Sequence, residues 1–220
     1  MCYYCELLIM ESIEKLKGIV EHLRSSEGCP WDREQTHESL VPYLIEETSE
    51  LVEAILNQDD ENFCEELGDM LMHLVMQGVI AEEREGFCLS DAAEAVSDKL
   101  VKRHPHVWGD MKAGSAEEIL ANWDNLKALS DKEKGREPSS VLKKYPRSLS
   151  ALLEAENIHN RLRKNEMNIR PKAETNEAKI GEQLYRIVAE AEAMGFCAEM
   201  CLRKYLERVK QDVTVAEQTA

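Results

Sequence analysis

The stretch Glu65-Glu66-Leu67-Gly68-Asp69-Met70-Leu71-Met72-His73-Leu74-Val75-Met76-Gln77-Gly78-Val79-Ile80 decides how this chain folds. On a helical wheel, Leu67, Met70, Leu71, Leu74 and Val75 fill one side, and Met72, Met76, Val79 and Ile80 fill much of the other. A helix apolar on nearly all sides is a buried one. The pattern predicts it over 63–85, with Gly86 ending it. Glu66 and Asp69 then share the face continued by His73, Met76 and Ile80. Like charges three residues apart cost some helix stability. Ionised carboxylates in a buried helix cost more, unless they are paired or bound to a metal.

The preceding helix, predicted over 36–57, carries Glu46-Glu47-Thr48-Ser49-Glu50. Glu47 and Glu50 share a face, and Glu47 falls between Leu51 and Ala54 at the edge of the apolar stripe. Glu46 and Glu53 point toward solvent. The short polar connection 57–62 implies antiparallel packing of the two helices. If the two acidic pairs lie level, four oxygen donors converge, a hard-ligand set suited to magnesium or manganese. Two plainer readings stand beside this one. Such pairs arise readily on solvated faces when 33 of the 43 acids are Glu. The acids could also form structural salt bridges with Lys99 or Arg103. A di-iron centre is disfavoured: the pairs Glu34/His37 and Glu156/His159 flank different segments, and chance supplies about one such pair at this composition.

Working outward, a first amphipathic helix is expected over 12–24, then a Gly- and Pro-containing break over 25–32. A fourth helix, capped by Ser90 or Asp91, runs to about Arg103 and is stopped by Pro105. Lys99 and Arg103 share one of its faces. A fifth helix over 115–129 opens on a capping box, Ser115 with Glu118, and puts Trp123 and Lys127 on one side. Beyond a charged linker, helices are expected over 148–163, 178–193 and 198–210, with a frayed tail. The last pair resembles helices three and four: Leu67-Gly68-Asp69-Met70-Leu71 matches Ile180-Gly181-Glu182-Gln183-Leu184, and Gly86-Phe87-Cys88 matches Gly195-Phe196-Cys197. Such self-similarity marks a degenerate second copy of one unit.

Helix-favouring residues dominate, and no alternating β-branched run is present, so the chain reads as all-α. With 43 acidic against 27 basic residues, its net charge of −16 excludes general nucleic-acid binding. No stretch approaches the roughly 20 apolar residues of a membrane span. The first ten residues lack the basic start of a signal peptide. Seven scattered cysteines then read as reduced thiols in the cytoplasm. Cys2 and Cys5 form a C-x-x-C with no second pair to complete a zinc site. No P-loop, dinucleotide fingerprint or serine-hydrolase elbow is present.

Five ordered pieces resemble MazG proteins, which are nucleoside triphosphate pyrophosphohydrolases. They are Cys29-Pro30-Trp31-Asp32-Arg33-Glu34-Gln35-Thr36-His37; Glu46-Glu47-x-x-Glu50; Glu66-Leu67-Gly68-Asp69; Lys99-Leu100-x-x-Arg103-His104-Pro105-His106-Val107; and Trp123-x-x-x-Lys127. The resemblance implies a MazG-like helical bundle over 1–130, a linker over 131–147, and a helical extension over 148–220. It implies a homodimer that hydrolyses (d)NTP to (d)NMP and pyrophosphate with Mg2+, or with Mn2+ in its place. It assigns Glu47, Glu50, Glu66 and Asp69 to metal. Glu46 and Glu65 support the site or activate water. Lys99, Arg103 and Lys127 contact the triphosphate, and Trp123 shapes the pocket. Long members carry two such domains. Here the second lacks its E-E-x-x-E helix, so the extension is expected to be a non-catalytic remnant used for packing or dimerisation. That decay also motivates an alternative, a nucleotide-binding or regulatory protein with little turnover.

Overall fold

The structure is a computed structural model that describes residues 3–112, 114–133, 141–142, 145–169 and 171–219. All regular structure among them is helical: α1 Tyr3–Arg24, α2 Pro30–Glu34, α3 Val41–Asn57, α4 Asp60–Glu83, α5 Leu89–Arg103, α6 Pro105–Trp108, α7 Ala116–Glu133, α8 Ala151–Lys164, α9 Asn176–Ala193 and α10 Ala198–Thr219. The chain divides into two compact units, Met1–Ser130 and Asp131–Ala220. Cys2, half of the C-x-x-C, lies outside the described residues, as does 134–140 of the expected linker.

In the first unit α4 is the central element, packed on α3 and α1 and touched by α5. Its core is Val20 from α1, Leu40 ahead of α3, and Val75, Met76, Val79 and Ile80 of α4, with Leu16 and Leu89 against it. Ile80 is a buried member of that cluster, so Ile80→Ala should lower unfolding free energy by about 2–5 kcal/mol. Urea unfolding with an unchanged m-value would show it.

The α3–α4 turn forms as its residues dictate. Gln58 takes the left-handed conformation, and the Asp59 carboxylate accepts the Asn62 amide at 3.1 Å, capping α4. The predicted start of α3 needs correction. Residues 36–40 form a turn in which Thr36 and Ser39 exchange side-chain and backbone hydrogen bonds, and the helix opens at Val41 with Pro42 in its first turn.

The segment between α1 and α3 is tethered, although it contains only the five-residue α2. Arg24 holds it. One guanidinium nitrogen donates to the carbonyls of Asp32 and Gln35, at 2.5 and 3.1 Å. The other two grip the Glu83 carboxylate at 2.8 and 2.7 Å. Gly28 is required here, because a Cβ would stand 2.2 Å from the carbonyl oxygen of His22. His37 Nδ1 pairs with Gln77 of α4.

A second correction concerns α4. Its Glu66, His73, Val75, Met76, Val79 and Ile80 are buried, but Leu67, Leu71 and Leu74 are 52%, 37% and 50% exposed. The wheel had enclosed the helix on nearly all sides. Within one chain α1, α3 and α5 cover only part of it, and the leucine stripe faces outward.

In the second unit α8, α9 and α10 pack on one another around Leu162, Val188 and Ala198. Glu156 accepts the Ala198 amide at the start of α10, and the His159 ring meets Tyr185 edge-on at 5.8 Å. The Glu156/His159 pair is therefore occupied structurally. The expected frayed tail is instead helical to Thr219. The two Gly-Phe-Cys joints differ by one residue: the left-handed position is Glu85 before α5 and Gly195 before α10.

Candidate functional site

The α3–α4 pair brings Glu47, Glu66 and Asp69 together. One carboxylate oxygen from each lies within 4.8 Å of the others. Glu66 is 8% exposed, and Glu47 and Asp69 are half-buried. Helical spacing puts Glu66 and Asp69 on one face of α4, and the short turn at Gln58 and Asp59 brings Glu47 of α3 opposite. Glu46, Glu50 and Glu65 stand exposed at the rim. Glu50 lies outside the tight triad, yet its charge acts on both Glu47 and Glu66.

Burial pushes the Glu66 carboxyl above its ordinary value, and the charges of Glu50, Glu47, Asp69 and Glu65 push it further. Glu47 is also raised, first by burial and then by Asp69, Glu50 and Glu46, while a hydrogen bond with Glu66 works the other way. The charges acting on both acids are carboxylates alone. Of the expected salt bridges with Lys99 or Arg103, none to Lys99 forms among the described residues. Three converging and partly desolvated oxygen donors fit a hard divalent cation.

His73, one turn after Asp69, completes this face. It is 5% exposed, and its Nε2 lies 3.8 Å from Glu47. Burial lowers its pKa. Its Nδ1 is buried without a hydrogen-bond partner. Beside it opens a cavity of about 200 Å³ lined by Trp31, Asp32, Leu40, Tyr43, Glu47, Met72, His73 and Met76.

The cationic residues stand on α5 and α7. Lys99 and Arg103 are half-buried on α5. The next residue, His104, meets Trp123 of α7 at a ring distance of 5.3 Å, and also contacts His106 and Trp108. Lys127 follows one turn after Trp123 and is half-buried. The predicted cap of α7 forms: Ser115 accepts the Glu118 amide, and Glu118 reaches back to Gly114.

Residues 35–108 match the MazG nucleotide pyrophosphohydrolase domain, a span that contains all six acids, Lys99 and Arg103. The chain belongs to the MazG family. It is 41% identical over 153 residues to a nucleoside triphosphate pyrophosphohydrolase of Escherichia coli K12, covering 69% of this chain and 57% of that protein. It is 49% identical over 127 residues to the nucleoside triphosphate pyrophosphohydrolase/pyrophosphatase MazG of Thermotoga maritima, covering 58% and 47%. An uncharacterised 26.1 kDa protein of Streptomyces cacaoi is 35% identical over 206 residues, covering 92% of this chain and 83% of its own. The chain thus spans about half the length of the two pyrophosphohydrolases. In this MazG chain the resemblance sets the segment 31–37, with Trp31, beside the nucleotide, whereas the cavity residues Tyr43 and His73 carry no role in the sequence reading. For His73 the signal was present, since it stands four residues after Asp69 on the same face.

Proposed function

We propose that the chain is a metal-dependent nucleoside triphosphate pyrophosphohydrolase, converting (d)NTP to (d)NMP and pyrophosphate in house-cleaning of nucleotide pools. The convergence of Glu47, Glu66 and Asp69 carries this reading. These three would hold Mg2+ or Mn2+, with Glu50 joining from the rim. A divalent cation there supplies charge neutralisation for the triphosphate and a lower pKa for a bound water. Glu46 and Glu65, adjacent to the ligands and open to solvent, orient the attacking water and accept its proton. Lys99, Arg103 and Lys127 contact the phosphates and stabilise the departing pyrophosphate. Trp123, fixed against His104, shapes that side of the site.

The working form is a homodimer. Leu67, Leu71 and Leu74 make a stripe at i, i+4, i+7 on α4, and Ile45 of α3 is equally exposed at 53%. An isologous contact would cover the stripe in both copies at once. The helical extension, 148–220, is a decayed repeat that serves packing. No acid triad forms there among the described residues. Residues 201–218 of α10 are all exposed, with Leu202, Leu206, Val209 and Val213 spaced as a heptad seam. The chain works in the cytoplasm on free nucleotides, without nucleic acid or membrane. No described helix is long and apolar enough to cross a bilayer.

The test is to incubate the protein and magnesium with each of the eight common ribo- and deoxyribonucleoside triphosphates and to resolve products by anion exchange. Monophosphate plus pyrophosphate is expected. Diphosphate plus phosphate would contradict the reading. Tight nucleotide binding without products over hours would favour the regulatory alternative.

A further inference from the structure

We propose that His73 is a positioning residue for the cation site: its Nε2–H holds the Glu47 carboxylate in the orientation that presents an oxygen to the metal. This deepens the reading of Glu47, Glu66 and Asp69 as metal ligands and rests on it.

Glu47 is the ligand that needs a partner. Glu66 and Asp69 stand three residues apart on α4, so one helix fixes their spacing. Glu47 comes from α3 and is half-buried among other acids. Asp69, Glu50 and Glu46 all act on it with like charge. It also shares a hydrogen bond with Glu66. A bond between two carboxyls needs a proton, and metal ligation requires that proton to leave. Like charges then push Glu47 away from the other two, unless a donor holds it.

His73 offers that donor. It is 5% exposed, and its Nε2 lies 3.8 Å from a Glu47 oxygen. Burial lowers its pKa and so favours the neutral ring, which carries one N–H. Nδ1 is buried without a hydrogen-bond partner. A proton placed there would be an unpaired buried donor, which is costly. Placed on Nε2, it faces Glu47. The partner of a histidine ring sets its tautomer in this way. At 3.8 Å the contact is longer than a hydrogen bond, and contacts of this kind often tighten only when substrate binds.

The ring is also held in plane. Tyr43 lies nearly parallel to it, with ring centres 6.4 Å apart and planes at 15°. Tyr43 and Glu47 stand four residues apart on α3, so one face of that helix meets the His73 ring twice. Residues that orient metal ligands work through such fixed geometry.

The experiment titrates Mn2+, followed by its electron paramagnetic resonance, into chelator-treated parent, His73→Ala, His73→Leu and His73→Gln. Losing a residue that orients a metal ligand weakens metal binding on the order of 10–100-fold. His73→Ala and His73→Leu should both fall in that range. His73→Gln, whose side-chain amide still donates, should recover most of the loss. The magnesium concentration for half-maximal nucleotide hydrolysis should shift by the same factors. Melting curves establish that the variants are folded. Leucine fills the space of the ring without its N–H. Parent-like affinity in His73→Leu would therefore assign His73 to packing and overturn the proposal. An equal loss in His73→Gln and His73→Leu would overturn it too.

If the parent binds Mn2+ but hydrolyses no nucleoside triphosphate, the pyrophosphohydrolase reading fails, and the four affinities still decide the role of His73. A parent that binds no Mn2+ would overturn the proposal together with the cation site.

Discussion

Glu66→Gln lowers turnover on the order of 100-fold or more, and it makes the metal-free protein more stable rather than less. The first effect follows from removing one of the three converging oxygen donors proposed to hold the metal. The second follows from the electrostatics of the acid cluster. Burial and four neighbouring carboxylates hold the Glu66 carboxyl above its ordinary value of 4.5. Such a group binds its proton more tightly in the folded chain than in the unfolded one. Its contribution to stability therefore declines as pH rises from 4.5 through the raised value. Glu47 acts in the same direction. Glutamine keeps the shape and removes the charge. Melting curves of the metal-free proteins at pH 5 and pH 8 should show the parent losing stability toward pH 8, and Glu66→Gln losing less. Magnesium should raise the parent's melting temperature at pH 8 and barely move that of the variant. A variant less stable than the parent at both pH values would mean that Glu66 is held by favourable partners.

The second large effect concerns the leucine stripe. The double substitution Leu71→Glu and Leu74→Glu should separate the proposed dimer into folded monomers. Each half-exposed leucine contributes about 1 kcal/mol of apolar burial when covered. The isologous contact counts both substitutions twice. The sum of about 4 kcal/mol weakens association on the order of 1,000-fold, before any cost of burying charge. Sedimentation equilibrium reads this directly, and the substitutions lie on the side of α4 away from its core, so the helical signal should persist. A parent protein that sediments as a monomer would contradict the dimer.

These two effects show where sequence reasoning succeeds and where it stops. The face bearing Glu66, Asp69, His73, Met76 and Ile80 was legible, because a 3.6-residue period places those side chains together whatever surrounds the helix. The meeting of Glu47 with Glu66 and Asp69 followed from a two-residue turn that leaves adjacent helices antiparallel. The outward leucines were not legible as exposed. A wheel records which residues are apolar, but not which of them a single chain can cover.

Local chemistry explains other differences. Pro30 and Pro105 each open a short helix, although proline had been read only as a break or a stop. Thr36 and Ser39 satisfy each other's backbone groups and delay α3 by a turn. The cavity was hidden because its walls come from α2, α3 and α4, and no sequence period connects Trp31, Tyr43 and His73.

Glu47, Glu66 and Asp69 are proposed to form a divalent cation site at which a triphosphate is cleaved. Phosphorus NMR of chelator-treated protein with a nucleoside triphosphate, while magnesium is added stepwise, tests it in one measurement. The monophosphate and pyrophosphate resonances should grow only with magnesium, and Asp69→Asn should leave the triphosphate intact. Cleavage without magnesium, or undiminished cleavage by Asp69→Asn, would contradict the claim.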